Sequence, residues 1–409
     1  MPDILKNKFS NIKTIVLYGI VSFFLFFEMA VQVSPSVMAG QLMHDLNIGT
    51  FGLGFMSGVY FYTYTAMQVP SGVLFDKYNP RIIISLAILV CALGTLLFSF
   101  AQSLLLGSIA RLLMGTGSAF AFVAVLVVTA DLFKAKYFAM MTGITQMLAA
   151  FGAMAGQMPI SVLLSHVGWR PTLWILACIG FVLTIIVWKL LNYERAPAEH
   201  TTHTINVKTD LKKIIYERQT WYIALYACLL WAPMSSFASL WGVPFLESAD
   251  HVGHTAAAFL CSLMWLGLAL ASPLLGILST AMNKRVFPLY LTALIGAVSF
   301  GLILECHLSL LPLGVLLFLA GAACSGQALS FTLVKENNPI SVKATAIAFN
   351  NMAVVISGAI FQPVIGKLIE SNHPGLDNPA HFKQGLMLVL GAYIVAFIIA
   401  AGFVKEPNK

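Results

Sequence analysis

Long apolar runs recur along almost the whole of this 409-residue chain, and they constrain its fold more than any other feature. A helix needs about 20 apolar residues to cross the roughly 30 Å hydrocarbon core of a bilayer, whereas an ordinary buried helix has about 11. Only 10% of the residues are charged, against roughly 25% in an average soluble domain. The chain therefore lacks the charged side chains that would cover a water-facing surface, and we expect an integral, all-α membrane protein.

Charges, prolines and glycines divide these runs into twelve predicted transmembrane spans. The spans lie near residues 14–40, 50–75, 81–100, 103–130, 137–165, 171–193, 219–246, 254–281, 285–306, 309–334, 344–370 and 384–404. One long polar interval separates the sixth span from the seventh. It predicts an N-terminal six-helix bundle over residues 1–193, a cytoplasmic linker over 194–218 and a C-terminal six-helix bundle over 219–409. Within the linker, Asp210 to Gln219 are expected to form either a short amphipathic helix on the membrane surface or a solvated charged segment.

An internal repeat supports the division into two bundles. "GVLFDKYNPR", residues 72–81, follows the second predicted span, and "GILSTAMNKR", residues 276–285, follows the eighth. The repeat aligns Gly72 with Gly276 and Arg81 with Arg285. The same offset relates Gly117 to Gly321 and Pro159 to Pro363. We therefore expect the two bundles to be pseudo-symmetric.

The charge distribution predicts orientation rather than a nucleic-acid partner. The formal charge is +7, but the lysines and arginines lie in short clusters between apolar runs and form no basic domain. If both termini are cytoplasmic, only Arg170, Lys367 and Lys383 lie on the outer side, as the positive-inside rule requires. The six cysteines stand singly and show no metal-ligand spacing, and no phosphate-binding glycine loop is present, so we expect no metal, no cofactor and no direct use of ATP.

Two of these segments resemble signatures of the major facilitator superfamily. "GVLFDKYNPR" is similar to that family's Gly-x-Leu-x-Asp-Arg/Lys-Tyr/Phe-Gly-x-Arg loop signature, with Asn79 in place of the second glycine. "RLLMGTGSAF", from Arg111, is similar to the family's Arg-x-x-x-Gly-x-Gly pattern. The resemblance covers essentially the whole chain. It implies twelve transmembrane helices in two six-helix bundles that rock about a central site, and a transporter rather than an enzyme.

Other segments bear on the direction of transport and on the solute. In "GAMAGQMP", Gln157 and Met158 stand where antiporter branches show Gly-Pro, which favours uptake or facilitated exchange over drug efflux. "FYTYTAMQVPSGVLFD" and "GSAFAFV" look like segments of bacterial amino-acid-type uptake carriers and, more distantly, of lysosomal dipeptide uniporters. We expect proton-coupled uptake of a small polar or zwitterionic solute, such as an amino acid or dipeptide, by a monomer in a bacterial inner membrane. Uncoupled uniport and efflux or exchange by an antiporter remain the alternatives.

Two charged residues are predicted at the same depth in the bilayer. Counted at 1.5 Å per residue, Glu28 lies roughly 20 Å above the inner edge of the first span, and Arg111 lies roughly 12 Å below the outer edge of the fourth. The resemblance implies that both spans line the cavity, so we expect the two side chains to face each other directly or through water. Glu28 would bind the proton or a substrate amine, and Arg111 would be its partner or would receive a substrate carboxylate.

The remaining candidate residues fall into two groups. Residues expected to line the site are Gln32, Tyr60, Tyr64, Gln68, Trp231, Ser235, Trp265, Gln327, Asn350 and Asn351. Residues expected to latch the inner gate are Gly72, Asp76, Lys77 and Arg81. Gly72 is expected to let two helices approach closely, while the three charged residues form a cluster on the inner rim. The phenylalanine and methionine stripes are interpreted as packing.

Overall fold

A computed structural model describes residues 3–133, 138–192, 214, 216–249, 252–339, 342–370 and 379–406, and all regular secondary structure in these ranges is helical. The first ten helices are α1 Asp3–Val33, α2 Pro35–Leu46, α3 Thr50–Ala66, α4 Gln68–Lys77, α5 Pro80–Ser99, α6 Leu104–Ser118, α7 Ala121–Leu132, α8 Phe138–Ala155, α9 Met158–Val167 and α10 Trp169–Leu190. The later ones are α11 Arg218–Ala232, the π-helix Pro233–Trp241, α12 Gly242–Ala249, α13 His254–Ala281, α14 Val286–Glu305, α15 Leu310–Ala323, α16 Gly326–Glu336, α17 Lys343–Glu370 and α18 Pro379–Gly402.

Eleven stretches of the described chain are helical, long and apolar enough to cross a membrane. This bears out the all-α membrane class, but it is one stretch fewer than the twelve predicted spans. The difference lies near residues 50–75, where α3 has 17 residues and α4 has 10. The two helices meet at Met67, so neither reaches the length of a span alone. Residues 194–213 of the predicted linker lie outside the described residues.

Several of the long helical stretches are interrupted along their length. Breaks occur at Ser34, at Met67, after Ser118, at Gly156–Gln157 and after Ala323. Pro35 and Pro159 lie in the first turn of the helix that follows a break, a position where the missing N–H of proline leaves no hydrogen bond unmade. Breaks of this kind are tolerated in a bilayer only where the freed backbone groups find partners inside the protein.

The N-terminal and C-terminal parts of the chain pack tightly at one end of the molecule, which we call the outer end because it lies opposite the start of α1. There α3 crosses α17 so closely that a Cβ atom at Gly54 would overlap the backbone of Gln362, and one at Gly366 would crowd the backbone of Thr50. Thr50 Oγ1 donates a hydrogen bond to Gly366 O at 2.8 Å, and Phe51 N donates to the Glu370 carboxylate at 2.6 Å. The outer end is therefore closed.

The opposite, inner end is looser at the repeated motif. A Cβ atom at Gly72 would meet no other atom within 4 Å, and the same holds at the equivalent Gly276. The close helix approach expected at Gly72 is therefore absent from this conformation.

Candidate functional site

A central cavity of about 110 Å³ lies between helices of the N-terminal and C-terminal parts. A single water needs about 10–15 Å³ of such volume, so the cavity holds several waters or a small organic solute. Six of the residues predicted for the site line it, namely Gln32, Tyr64, Trp231, Trp265, Gln327 and Asn351. They come from α1, α3, α11, α13, α16 and α17, so the cavity exists only when both parts of the chain are assembled.

Polar groups of these side chains are available to a ligand. The side-chain amides of Gln32 and Gln327 have no hydrogen-bond partner among the described residues. The indole N–H of Trp265 is buried and is likewise without a partner there. Trp265 packs edge-on against Trp231 with 6.3 Å between the ring centroids. Because a buried donor is normally paired, the Trp265 N–H indicates a place for an acceptor on a bound molecule.

Glu28, Tyr60 and Arg111 form a buried cluster behind the wall of the cavity. Glu28 and Tyr60 are fully buried, and Arg111 is 1% exposed. The Tyr60 hydroxyl donates a hydrogen bond to Glu28 Oε1 at 2.6 Å, and the Arg111 guanidinium lies 4.5 Å from the centroid of the Tyr60 ring. Tyr60 thus contacts both charged side chains, through its hydroxyl and through its ring face.

Glu28 and Arg111 were expected to face each other directly or through water, and in the structure Tyr60 contacts both of them. No ion pair within 4.0 Å joins Glu28 to Arg111, since Tyr60 lies between them. Arg111 Nη2 instead donates to the backbone oxygens of Gln32 and Ser57, both at 3.5 Å. Glu28 Oε2 and the Arg111 Nε and Nη1 atoms have no partner in the described part of the chain. Both groups therefore retain unused hydrogen-bonding capacity.

The Tyr60, Tyr64 and Gln68 side chains connect this cluster to the cavity and to the C-terminal part. The Tyr60 and Tyr64 rings pack with 5.9 Å between centroids, and Tyr64 lines the cavity. Gln68 Oε1 accepts a hydrogen bond from Asn351 Nδ2 at 2.7 Å. Side chains of α3 and the start of α4 thus touch the buried charges, the cavity and the other half of the molecule in turn.

Four residues expected to line the site do not line the cavity: Tyr60 and Gln68, described above, and Ser235 and Asn350. Ser235 shares a hydrogen bond with Ser357 at 2.8 Å, and Asn350 Nδ2 donates to Ser330 Oγ at 2.8 Å. Both residues are buried between helices of the C-terminal part. Their polar atoms are used to hold neighbouring helices together, which is why they are turned away from the cavity.

Several lining residues were not predicted from the sequence. These are Gln146 and the rings of Phe61, Phe122 and Phe331, together with smaller apolar side chains. Gln146 is a lone amide in the apolar run of α8, which is the same signal that drew attention to Gln327. The phenylalanines had been interpreted as packing, and no feature of the sequence separates them from the other aromatic residues of the spans.

The structure describes only some of the side chains of the predicted inner latch. The Asp76 side chain lies outside the described side chains. Lys77 is exposed, and the Arg81 guanidinium lies 4.5 Å from the Trp188 ring centroid at the end of α10. The backbone N–H of Arg81 is bonded to the Asn79 side chain, which caps the start of α5.

Gln157, which replaces the Gly-Pro of antiporter branches, connects the two parts of the chain near the outer end. Its side-chain amide donates to the backbone oxygen of Ala238 in the π-helix. Its Oε1 accepts a hydrogen bond from Ser262 Oγ at 3.3 Å. Gln157 is fully buried, so the residue that departs from the antiporter pattern bonds the N-terminal part of the chain to the C-terminal part.

Comparison with known proteins gives a consistent picture. The family model described as Major Facilitator Superfamily matches residues 18–363. The "Uncharacterized transporter YybO" of Bacillus subtilis (strain 168) is 25% identical, with 92% of this chain and 91% of that protein covered. The "Probable sulfoacetate transporter SauU" of Cupriavidus necator is 23% identical, with 96% of each covered.

Solved structures share the fold. A bacterial homologue of the human lysosomal transporter Spinster, crystallised in an inward-facing and unoccupied conformation, superposes with a TM-score of 0.79 at 16% identity, covering 97% of this chain and 99% of that one. The nucleoside transporter NupG gives a TM-score of 0.77 at 12% identity, covering 95% and 100%.

Proposed function

The chain belongs to the Major Facilitator Superfamily, and from this premise we propose that it is a secondary transporter that takes up a small polar or zwitterionic organic solute together with a proton. The membrane location and the transporter class follow from the family. The observation that most directly supports this proposal is the central cavity. Residues from both parts of the chain line it, and the buried carboxyl group of Glu28 lies behind its wall. An amino acid or dipeptide is the solute class that the motif resemblance suggests.

The proposed architecture has twelve spans in two six-helix bundles. The span that is missing from the eleven is the second along the chain, and α3 and α4 together form it. The Met67 N–H still bonds to Thr63 O at 2.9 Å across the break, and the two helices follow each other without a loop. The N-terminal bundle would comprise residues 1–193 and the C-terminal bundle 219–409. The excess of lysine and arginine near the termini supports a cytoplasmic location for both ends. The bacterial sources of the two relatives support an inner-membrane monomer.

Glu28 is the proposed proton site. An ionised carboxylate that is buried without an ion pair costs several kcal/mol, and among the described residues Glu28 receives one hydrogen bond, from Tyr60. Its ionisation therefore depends on whether water or solute reaches it, and this links its protonation to the opening of the cavity. Arg111 would neutralise part of the charge across the Tyr60 ring when the proton leaves.

The inner latch is proposed to act in the opposite conformation. Asp76 with Lys77 and Arg81 would form charged contacts at the inner rim when the inner ends meet and the outer end opens. The open space around Gly72 supports this, because a close helix approach remains available there. Rocking of two bundles about a fixed central site is the general mechanism for such repeats.

Uptake into proteoliposomes tests the proposal. The purified protein is reconstituted and offered amino acids, dipeptides, nucleosides and organic acids, with and without an inward proton gradient. We expect one solute class to accumulate only with the gradient. Glu28→Gln, which keeps the shape but cannot release a proton, should abolish accumulation and retain solute exchange across the membrane. Tyr60→Phe should reduce gradient-driven uptake about tenfold, since a hydrogen bond to a charged group contributes ~1.5–3 kcal/mol.

Matched substitutions control for general damage. Glu305→Gln makes the same chemical change at an exposed pair with Lys383, and Tyr290→Phe removes a hydroxyl far from the buried cluster, so both should transport normally. Gradient-independent accumulation by the wild-type protein, or a Glu28→Gln protein that still concentrates solute, would contradict proton coupling. Equilibration without accumulation would instead favour the uncoupled uniporter.

A further inference from the structure

The chemistry of the cavity wall indicates which solutes fit it. None of the described side chains that line the cavity is ionisable to a charge near neutral pH. Glu28 and Arg111 lie behind the wall and do not line it. Moving a charged group from water to neutral side chains is costly unless it is paired. The wall is therefore poorly suited to an anion, a cation or the two separate charges of a zwitterion.

Aromatic rings provide much of the surface. Six of them line the cavity, three from the N-terminal part and three from the C-terminal part: Phe61, Tyr64, Phe122, Trp231, Trp265 and Phe331. Trp231 and Trp265 meet edge to face at an interplanar angle of 76°, so their faces point in different directions and enclose a corner. Aromatic faces bind flat π-systems by stacking, and this stacking tolerates different ring substituents.

Primary amides provide most of the polar groups. Gln32, Gln146 and Gln327 line the cavity, and their side-chain amides have no partner among the described residues. A primary amide presents a donor and an acceptor side by side, and this pair is complementary to the edge of a nucleobase, as in the pairing of Asn or Gln with adenine. The buried Trp265 N–H adds a donor that is still unused.

From these features we propose that the solute is uncharged and carries a flat heteroaromatic ring with adjacent donors and acceptors on its edge, as a nucleobase or nucleoside does. The inference rests on the proposed function and narrows its solute class, since an uncharged heteroaromatic solute replaces the zwitterion. The ring stacks in the corner formed by Trp231 and Trp265. The free amides of Gln146 and Gln327 pair with its edge, and the Trp265 N–H donates to a ring nitrogen or carbonyl oxygen.

Equilibrium binding to the purified, full-length protein in detergent tests this without any gradient. Tritiated adenosine, uridine, guanosine and hypoxanthine are the probes. Unlabelled AMP, ribose, serine, an uncharged-side-chain dipeptide and sulfoacetate are the competitors. We expect at least one nucleoside or base to bind. Its monophosphate should bind at least about tenfold more weakly, because the phosphate would lose its hydration against neutral side chains. Ribose alone should not compete.

Variants assign the contacts. Trp265→Phe keeps a ring and removes the N–H, while Gln327→Leu and Gln146→Leu remove the amides at nearly constant volume. Each should weaken nucleoside binding by about tenfold. Gln146 is only partly buried, so its variant remains informative if Gln327→Leu lowers the yield of folded protein. Trp174→Phe, on an exposed outer surface, is the matched control and should bind normally.

The outcomes separate this inference from the proposed function. If no base or nucleoside binds at millimolar concentration, the inference is wrong. If serine, the dipeptide or sulfoacetate binds and is driven by the proton gradient, the inference is wrong while proton-coupled transport stands. If a nucleoside binds but the proton gradient does not drive its uptake, the inference stands and the coupling proposal fails.

Discussion

At the residue scale, the surroundings of an ionisable side chain decide what it can do. Glu28 and Asp45 lie within twenty residues of each other on successive helices, yet they have opposite environments. Glu28 is fully buried, and Tyr60 is its one hydrogen-bond donor in the described part of the chain. Asp45 lies at the end of α2 outside the span, where the Trp169 Nε1–H donates to Oδ2 at 2.8 Å and Arg170 Nη1 pairs with the same atom at 2.7 Å. The proposed proton exchange is assigned to the first, whereas the second stabilises the fold.

Asp45 makes a pH-dependent contribution to stability. The hydrogen bond from Trp169 is the largest of the interactions that lower the pKa of Asp45 from 3.8 to about 2. A group with a lowered folded-state pKa stabilises the folded protein above its unfolded pKa, and this contribution is lost as the pH falls through the folded value. Asp45→Asn should therefore lower the melting temperature at pH 7, and the difference from wild type should shrink between pH 3.8 and about 2.

The expected difference is modest, because the Asp45 side chain is 36% exposed and solvent screens such pairs. Thermal unfolding in detergent, followed by intrinsic fluorescence over this pH range, measures it. A deficit in melting temperature that stays constant with pH would show that Asp45 acts through packing rather than through its charge.

At the scale of elements, glycines decide which helices can touch. A Cβ atom at Gly115 in α6 would overlap the backbone of Tyr60 in α3, and one at Gly321 in α15 would overlap the backbone of Met264 in α13. Tyr60 and Met264 differ by the offset of 204 found in the repeated loop motif. Gly321 thus packs as Gly115 does, although the same offset had aligned it with Gly117. Helix contacts are a better guide to the repeat here than letter matches.

Gly321→Ala should destabilise the protein by about 1–3 kcal/mol, as expected for overpacking a tight contact, because α15 and α13 would have to separate. Thermal unfolding or accessibility of the buried Cys261 and Cys324 to a thiol reagent would measure the loss. Gly276→Ala is the matched control, since its new methyl group would meet open space. Equal melting temperatures for the two variants would contradict the packing argument.

At the scale of the whole molecule, polar contacts in the outer part hold that end closed, although the Gln68–Asn351 bond also joins the two parts of the chain nearer the inner end. The side chain of Gln157 bonds to Ala238 and Ser262, and the backbone of Phe51 bonds to Glu370. All of these residues lie in the outer part of the molecule. If the cavity opens outward as proposed, these bonds break, so they contribute to the free-energy difference between the two conformations.

Gln157→Ala should shift the population toward an outward-open conformation. It removes two hydrogen bonds between the parts, each contributing ~0.5–1.5 kcal/mol, so the ratio of the two states should change by about tenfold. Spin labels on the exposed positions Gln41 and Thr255, at the outer ends of α2 and α13, would report the change as a longer interspin distance. Gln102→Ala, in an exposed loop, should leave the distances unchanged, and an unaltered distribution in Gln157→Ala would rule out this role.

The sequence by itself determined that this protein lies in a lipid bilayer, that it is helical and which family it resembles. Apolar runs of span length leave only helices that satisfy their own backbone hydrogen bonds, and the loop motifs carry the family resemblance. The tertiary structure decided which polar side chains meet the cavity. Asn350 and Asn351 are neighbours in sequence, but successive residues on a helix point about 100° apart, so Asn351 faces Gln68 and the cavity while Asn350 faces Ser330. The rotation of each helix about its axis is set by the helices it packs against. One amino-acid sequence does not give the positions of those neighbouring helices.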